Sequence, residues 1–373
     1  MGLTQKNLSG EVKQQSHWLK NLHLVLSPGI DLDEFRRQSE QGLCPRHSMA
    51  VLADRYDAVI HIPHPERDRP NAFDRMRSRL FGSRESWAMA RRLADRLGPG
   101  DIVFCQSESV GLPLASLLGK RSKRPKLFVF GHNLTSRRCR MAARLFGFAS
   151  RVDAMGVCCS SQAEFLHRDL KIAESRIHLL LEHVDNRFFS PGPASRDKVR
   201  PVIAGVGLEK RDYRTLAQAC RDLDVDIRIS GFSRFAALLA ESLPDPMPPN
   251  MTRRYYSWTE LVQLYRDADV VVAPVFPCRY AAGVTTLIEA LCCHRPVVVT
   301  RSPGLSDYLD PSDGLSLVEP FDSDGMRRAI VRLLEHPEEA REQADRGFQL
   351  ASQRYDFDRD IDRRAELLQA LQD

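Results

Sequence analysis

Residues Ala281–Leu291 read AAGVTTLIEAL, and after four further residues Pro296–Thr300 read PVVVT. An apolar strand candidate precedes both, so the order is strand, glycine loop, helix, strand, as in a parallel βαβ unit. Gly283 allows a ligand to approach the backbone closely. The free N–H groups and positive dipole end at Thr285 and Thr286 suit a phosphate group. This stretch therefore predicts an α/β domain with an anion site.

Glu289 lies about one turn inside the predicted helix. A carboxylate at this place can accept hydrogen bonds from sugar hydroxyls. The alternative is a solvated helix residue, which would be the better interpretation for an isolated Glu. The surrounding pattern favours the binding role.

The same alternation of strands and helices extends along the chain and predicts parallel sheets covered on both faces. The strand candidates are Leu22–Leu26, Ala58–Ile62, Ile102–Cys105, Leu127–Phe130, Met155–Cys159, Ile177–Leu181, Val202–Val206, Ile227–Ser230, Val270–Ala273 and Pro296–Thr300. The helix candidates are Glu85–Leu97, Leu112–Leu118, Arg137–Phe148, Tyr213–Cys220, Phe235–Ser242, Trp258–Arg266, Thr285–Cys292, Asp322–Leu334, Pro337–Arg354 and Asp358–Leu371.

A Pro/Gly/Ser cluster, Ser190–Ser195, interrupts this alternation and predicts a linker, with a long loop inside one domain as the alternative. We expect an N-terminal Rossmann-like domain over 1–192, a C-terminal one over 193–356, and a last helix over 357–373 that returns to the N-terminal domain. Ligands of such sheets bind beyond the carboxyl ends of the strands. The cleft between the two domains is thus the expected site.

Composition agrees with a globular chain. Of the 373 residues, 43% are hydrophobic and 28% are charged, which excludes disorder as the overall class. Nine cysteines without a C-x-x-C pair indicate buried thiols in a reducing compartment, and no metal-ligand spacing is present. The polar start lacks the apolar segment of a signal peptide. We therefore expect a cytoplasmic protein that reaches the membrane, if at all, from its inner face.

The run around Glu289 resembles the retaining GT-B glycosyltransferases, in particular family 4 (glycosyl transferases group 1). In that family a Glu precedes a second Glu by eight residues, and an EA(M/L)A.G.PV(V/I) run follows. Glu289 matches the second Glu and Arg295–Val298 matches the end of the run. The resemblance implies that Glu289 holds the nucleotide ribose and that the backbone of 283–286, including Val284, faces the donor sugar and its diphosphate. Ala281 stands where the family has its first Glu, so we expect sugar recognition to be built differently.

A second motif, Val202–Leu216, reads VIAGVGLEKRDYRTL. A strand runs into a turn at Gly207, and Lys210 and Arg211 follow before a helix. These two cations could clamp a diphosphate, with a solvated basic turn as the alternative. The family is similar here. Arg211 lies at the position where the family has a Lys, and Leu208 lies where the family has an Arg.

Three further residues complete the predicted site. His132 follows a strand of the first domain and would point into the cleft, where the family has a His near the donor sugar; a purely structural role is the alternative. Gly231 resembles a loop residue that approaches the nucleotide. Arg279 is assigned to the sugar or a phosphate by its position alone. Residues 255–258 occupy the region where the family places the base, and 184–191 resembles the segment that closes its first domain.

Between Glu108 and Asp153 there is no acidic residue, and the stretch 120–151 is strongly basic. A basic amphipathic helix over 137–148 could lie on an anionic membrane. A solvated face beside a phosphate-rich cleft is an equally good interpretation. Nucleic-acid binding is not supported, because no recognised module or interleaved aromatic pattern is present.

The sequence thus predicts an α/β protein of GT-B type, with two Rossmann-like doubly wound parallel sheets facing a central cleft. The resemblance implies a retaining, metal-independent glycosyltransferase that needs no cofactor beyond a UDP- or GDP-linked sugar as co-substrate. The acceptor would be a glycan, a lipid-linked molecule or a small molecule. Alternatives are a catalytically silent scaffold of the same fold and a sugar-nucleotide epimerase.

Overall fold

The computed structural model describes residues 19–119, 123–232, 238–310 and 314–372. Its framework is two parallel six-stranded sheets that follow one another along the chain. Five of the twelve strands, all of them away from the sheet edges, are buried along their whole length, as expected for sheets covered on both faces by helices.

The first domain is built on a sheet of order β2-β1-β3-β4-β5-β6. Its strands are β1 (Leu22–Val25), β2 (Val59–His61), β3 (Ile102–Cys105), β4 (Lys126–Gly131), β5 (Ala154–Val157) and β6 (Ile177–Leu179). Its helices are α1 (Leu32–Glu40), α2 (Ser48–Tyr56), α3 (Ala72–Ser78), α4 (Arg84–Ala94), α5 (Glu108–Leu118), α6 (Arg137–Leu145) and α7 (Ser160–Arg168).

The second domain is built on strands β7 (Val202–Val206), β8 (Asp226–Ser230), β9 (Met251–Arg253), β10 (Val270–Ala273), β11 (Val297–Thr300) and β12 (Leu315–Val318). Its helices are α8 (Tyr213–Ala219), α9 (Trp258–Asp267), α10 (Val284–Cys292), α11 (Ser323–Glu335), α12 (Pro337–Arg354) and α13 (Phe357–Ala370), with a 3-10 helix over Pro303–Tyr308. The strand order is β12-β11-β10-β7-β8-β9. The chain therefore reverses its direction across the sheet between β7 and β10, and a crevice opens beyond the carboxyl ends of these two strands.

The predicted fold class of two doubly wound parallel α/β sheets is confirmed. One predicted helix, Phe235–Ser242, is wrong over Leu238–Ser242, and its remainder lies outside the described residues. This segment forms turns, in which Ser242 N–H donates to Leu239 C=O over 3.0 Å. The prolines at 244, 246, 248 and 249 explain the difference, because they remove backbone donors and disfavour helix in the residues before them.

Some predicted bounds shift. The strand expected over Met155–Cys159 spans Ala154–Val157, and Cys159 instead becomes the N-cap of α7. Short elements without a clear period were not predicted, among them α1, α2, α3, α7, β9 and β12.

The last helix, α13, packs against α2 of the first domain. Asp358 accepts from Arg46 over 3.2 Å, and Arg55 forms an ion pair with Asp362. At the other crossing, between 190 and 201, Ser195 N–H donates to Asp267 of α9 over 2.7 Å. Both crossings are thus held by bonds to a neighbouring helix. In the described residues we find no helix that is both long and apolar enough to cross a membrane.

Candidate functional site

The loop between β7 and α8 and the loop between β10 and α10 are hydrogen-bonded to each other at the crevice of the second sheet. We call the surface that these two loops form, together with the first turn of α10, the floor. Asp212 N–H donates to Pro274 C=O over 2.9 Å, and Phe276 N–H donates to Lys210 C=O over 2.8 Å. Arg211 and Val275 form an antiparallel bridge between these bonds. The predicted basic turn and the predicted glycine loop are therefore brought together in space.

Arg211 is buried at the centre of this floor, with 4% of its surface exposed. Its guanidinium donates to Val206 C=O over 2.9 Å, to Glu209 C=O over 2.7 Å and to Thr286 Oγ1 over 2.9 Å. Thr286 Oγ1 in turn donates to Val206 C=O. Arg211 thus ties β7, its loop and the first turn of α10 together, which is an inward role that the sequence pattern did not indicate.

Two glycines make this close approach of loops and guanidinium possible. Gly207 has φ +95°, and a Cβ there would lie 2.4 Å from an Arg211 nitrogen. Gly283, the N-cap of α10, has φ +96°, and a Cβ there would lie 2.8 Å from Val275 Cγ1. Any larger residue would strain the backbone and displace a neighbour.

Lys210 lies beside Arg211 in a left-handed conformation, with φ +52°. Its side chain is half-buried, and within the described ranges it forms no ion pair. Its amine is therefore available to an anionic ligand.

Glu289 lies inside α10 and is only 5% exposed. Its Oε2 accepts a hydrogen bond of 2.6 Å from the hydroxyl of Tyr265 on α9. Burial raises the pKa of Glu289 to about 7, and the Tyr265 bond and nearby Arg211 offset this only in part. The alternative of a solvated helix residue does not hold.

Glu289 and exposed Thr285 of α10 line a cavity of about 250 Å³ that is closed on its other side by the first domain. First-domain residues in its wall include Arg46, His47, His132, Glu182 and His183. The cavity lies between the two domains and has predicted site residues from each, His132 and Glu289.

His132 follows β4 directly, and its side chain is half exposed. Its Nε2 is 3.1 Å from Gln106 C=O, and its Nδ1 is 3.8 Å from a Glu182 oxygen. Its own N–H donates to Glu108 over 2.9 Å. These contacts orient the ring while leaving it accessible from the cavity.

The predicted site residues that line this cavity are His132, Thr285 and Glu289. The predicted residues of the floor are not part of its wall, namely Gly207, Lys210, Arg211, Gly283, Val284 and Thr286, and neither are Gly231 and Arg279. Gly231 C=O accepts two bonds from Arg253, of 3.0 and 2.7 Å, at the end of β8. Arg279 contacts the first domain instead, because its C=O accepts from Ser161 Oγ of α7 over 2.6 Å and its guanidinium lies 3.9 Å from Glu164.

A network of charges in and next to the wall of the cavity was missed by sequence reasoning. Arg46 donates to Asp185 over 2.8 Å, and Asp360 of α13 forms a buried ion pair with Arg364 and lies 3.0 Å from His183. Burial lowers the pKa of His183, with nearby Asp360 opposing this. These residues come from three separate segments, so no local pattern could have found them. Tyr265 carried no signal either, since its helical spacing is that of an ordinary core residue.

Residues 215–336 match the family model described as glycosyl transferases group 1. This region runs from within α8 to the end of α11 and includes Tyr265, the glycine loop and Glu289. Among curated proteins, none matches the chain significantly.

Solved structures of similar architecture are numerous. Sucrose-phosphate synthase from Thermosynechococcus elongatus is 15% identical with a TM-score of 0.70, covering 94% of this chain and 99% of that one. Anabaena Alr3699/HepE in complex with UDP-glucose is 13% identical with a TM-score of 0.67, covering 94% and 99%. The α,α-trehalose 6-phosphate synthase of Burkholderia multivorans is 13% identical with a TM-score of 0.66, covering 95% and 99%.

At these identities the structural likeness establishes the GT-B fold. The family match over the second domain indicates a glycosyltransferase, and so a transferase enzyme.

Proposed function

We propose that this GT-B glycosyltransferase moves a sugar from a nucleoside-diphosphate sugar to an acceptor hydroxyl, with retention at the anomeric carbon. The observation that carries the proposal is the cavity between the domains. There Glu289, buried and held by Tyr265, stands across from His132 of the first domain. A donor bound to the second domain would present its sugar to an acceptor that enters along the first.

The donor half of the proposal rests on the floor of the second domain. Glu289 would accept hydrogen bonds from ribose hydroxyls, and the backbone from Gly283 to Thr286 would face the diphosphate. The family of the 215–336 match and the UDP-glucose in the Anabaena complex support a nucleotide sugar. UDP and GDP are both retained as carriers.

In the chemical step the bond between the anomeric carbon and the diphosphate breaks, and negative charge develops on the leaving group. Lys210 and the amides at the start of α10 would stabilise that charge without a metal ion. Arg211 has five N–H groups, of which three are bonded internally, so it holds the floor in place and has two donors left for a phosphate. The acceptor oxygen bonds to the anomeric carbon on the face that the diphosphate leaves, and its proton passes to the leaving phosphate, which accounts for retention.

On the acceptor side, the proposal includes a contact between the first domain and a membrane surface. On α6, Met141 and Leu145 are 55% and 64% exposed, and on α3, Phe73 and Met76 are 63% and 55% exposed. Arg138 of α6 donates to Leu80 C=O just beyond α3 over 2.7 Å, so the two helices are neighbours. Basic side chains surround these apolar ones, a combination that suits anionic lipid. The free state of all nine cysteines supports a reducing compartment, so we place the reaction at the cytoplasmic side of the membrane.

The first experiment is a thermal-shift panel with UDP, GDP, ADP and their common sugar conjugates, because a ligand of the folded state raises the melting temperature. The nucleotide that stabilises the chain then selects donors for an acceptor screen, and NMR of the product anomeric proton reads retention or inversion. We expect a shift with one nucleotide and a retained anomer. Binding without turnover would indicate a silent scaffold. Release of free nucleotide with an altered sugar and no acceptor would indicate an epimerase.

A further inference from the structure

Position 281, which the family resemblance would give to a carboxylate, is a buried alanine, so the sugar-facing side of the floor lacks an acid there. A carboxylate does lie next to it. Glu209, in the loop after β7, accepts a hydrogen bond from the hydroxyl of Tyr280, which comes directly before Ala281 in the loop after β10. The pair thus spans the two strands between which the crevice of the sheet opens.

Both partners of this pair are fixed from behind. The guanidinium of Arg211 donates to Glu209 C=O over 2.7 Å. Tyr280 packs on Gly304 so closely that a Cβ at that glycine would lie 2.0 Å from Tyr280 C=O. Cys278, two residues before Tyr280, accepts from Gly304 N–H over 2.8 Å. Neither loop needs to reorganise to present the carboxylate.

Besides the bond from the Tyr280 hydroxyl, Glu209 can accept further hydrogen bonds. The bond uses Oε1, and among the described residues no hydrogen bond reaches Oε2. The side chain of Glu209 is half-buried, which reduces competition from water. Burial and the adjacent Glu209 carboxylate raise the pKa of Tyr280, so the phenol stays a donor and keeps the carboxylate in one orientation. A fixed carboxylate with one free oxygen is suited to accept hydrogen bonds from vicinal hydroxyls.

We propose that Glu209, oriented by Tyr280, binds the hydroxyls of the transferred sugar and determines which sugar the chain accepts. This inference rests on the proposed function, because it concerns the donor of the same site. Lys210, the next residue, would then contact the diphosphate while Glu209 contacts the sugar. Nucleotide and sugar would be recognised by adjacent residues of one loop.

The test separates nucleotide binding from sugar binding. Calorimetry measures the dissociation constants of UDP, UDP-glucose and UDP-galactose for the wild type, Glu209→Gln and Tyr280→Phe. Glu335→Gln serves as matched control, since Glu335 is an exposed residue at the end of α11. If the chain prefers GDP or ADP, that nucleotide and its hexose conjugates replace the uridine series.

We expect Glu209→Gln to leave UDP affinity unchanged and to weaken the preferred UDP-sugar about tenfold or more, as for loss of a hydrogen bond to a charged group. The Glu209→Gln variant should also discriminate less between UDP-glucose and UDP-galactose than the wild type does. Tyr280→Phe should weaken binding of the UDP-sugar in the same way but to a smaller extent. Equal weakening of UDP and UDP-sugar would overturn the inference, because Glu209 would then only support the loop. Unchanged sugar affinity would also overturn it. A wild type that binds no nucleotide at all would overturn the proposed function itself.

Discussion

The hydroxyl of Tyr265 lies 2.6 Å from Oε2 of Glu289, and both side chains are buried although one of them is an acid. The phenol satisfies one carboxylate oxygen from α9, and the other remains for the cavity. This bond explains how an acid is tolerated inside α10, where an unpaired carboxylate would be costly. Burial, which this bond offsets only in part, makes Glu289 sensitive to pH by raising its pKa.

The pKa of Glu289 is raised to about 7 from its ordinary 4.5. Because the folded state binds this proton more tightly than the unfolded state, the stabilisation is fully present below pH 4.5 and is lost as the pH rises through 7. The raised pKa corresponds to on the order of 3 kcal/mol between those limits. Urea unfolding of the wild type and Glu289→Gln across this range measures it. We expect the free energy of the wild type to fall relative to that of the variant, and parallel curves would contradict the prediction.

The same residue is expected to hold the donor. Glu289→Ala removes the carboxylate and should raise the KM for the nucleotide sugar strongly. Tyr265→Phe keeps the carboxylate and loses only its support, so its effect should be smaller. Initial rates against donor concentration give both values. Wild-type donor affinity in Glu289→Ala would remove the residue from the site.

Substitutions of Lys210 and of Arg211 should have different effects on stability and on binding. Arg211→Ala removes three internal hydrogen bonds and should lower the melting temperature clearly. Val206 C=O keeps its bond from Thr286 Oγ1, so the cost of about 1–3 kcal/mol for a buried group left unpaired falls on Glu209 C=O and Thr286 Oγ1. Lys210→Ala breaks no bond between described residues and should leave the melting temperature unchanged while it weakens nucleoside diphosphate binding. Thermal unfolding and calorimetry on both variants give the comparison. Retained diphosphate binding in the double variant would reject the clamp.

His132→Ala should lower kcat with the fold intact, because the ring is half exposed and lines the cavity opposite Glu289. Steady-state kinetics and circular dichroism are the two measurements. His167 of α7 is also half exposed and does not line this cavity, so His167→Ala is the matched control. Full activity of His132→Ala would make the residue structural.

The α3–α6 surface should bind anionic vesicles. Arg75→Glu with Arg137→Glu reverses two exposed charges, each worth about 1 kcal/mol near such a surface. Co-sedimentation with phosphatidylcholine vesicles, with and without phosphatidylglycerol, measures the effect. We expect binding only with the anionic lipid and its loss in the variant.

Two arms complete that experiment. Met141→Ser with Leu145→Ser tests the apolar contribution, and Arg341→Glu with Arg346→Glu on α12 controls for net charge. If the α12 variant loses as much binding as the α3–α6 variant, attraction is non-specific and the surface is a solvated face.

Most strands and long helices of this chain were predictable because each has its own period or apolar run; α12, for example, has the predicted bounds Pro337–Arg354. Glu289 was predictable because its loop and helix are contiguous in sequence. The direction of Arg211 was not, since a basic turn looks the same whether its guanidinium faces solvent or three internal acceptors. The first-domain wall of the cavity was also beyond reach, because Arg46, His132 and His183 meet only through the folded topology.

The return of α13 to the first domain has a mechanical consequence. The polypeptide passes between the two halves twice, near 190–201 and again at Asp356, which bridges to Val184. Because two chain segments connect the domains, the domains can rotate relative to each other about the axis through both segments. The same two connections resist twisting or sliding of one domain against the other. We therefore expect the cleft between the two domains to open for substrate by a hinge rotation about this axis. A chain truncated before Phe357 would lose that constraint and uncover α2 at the same time.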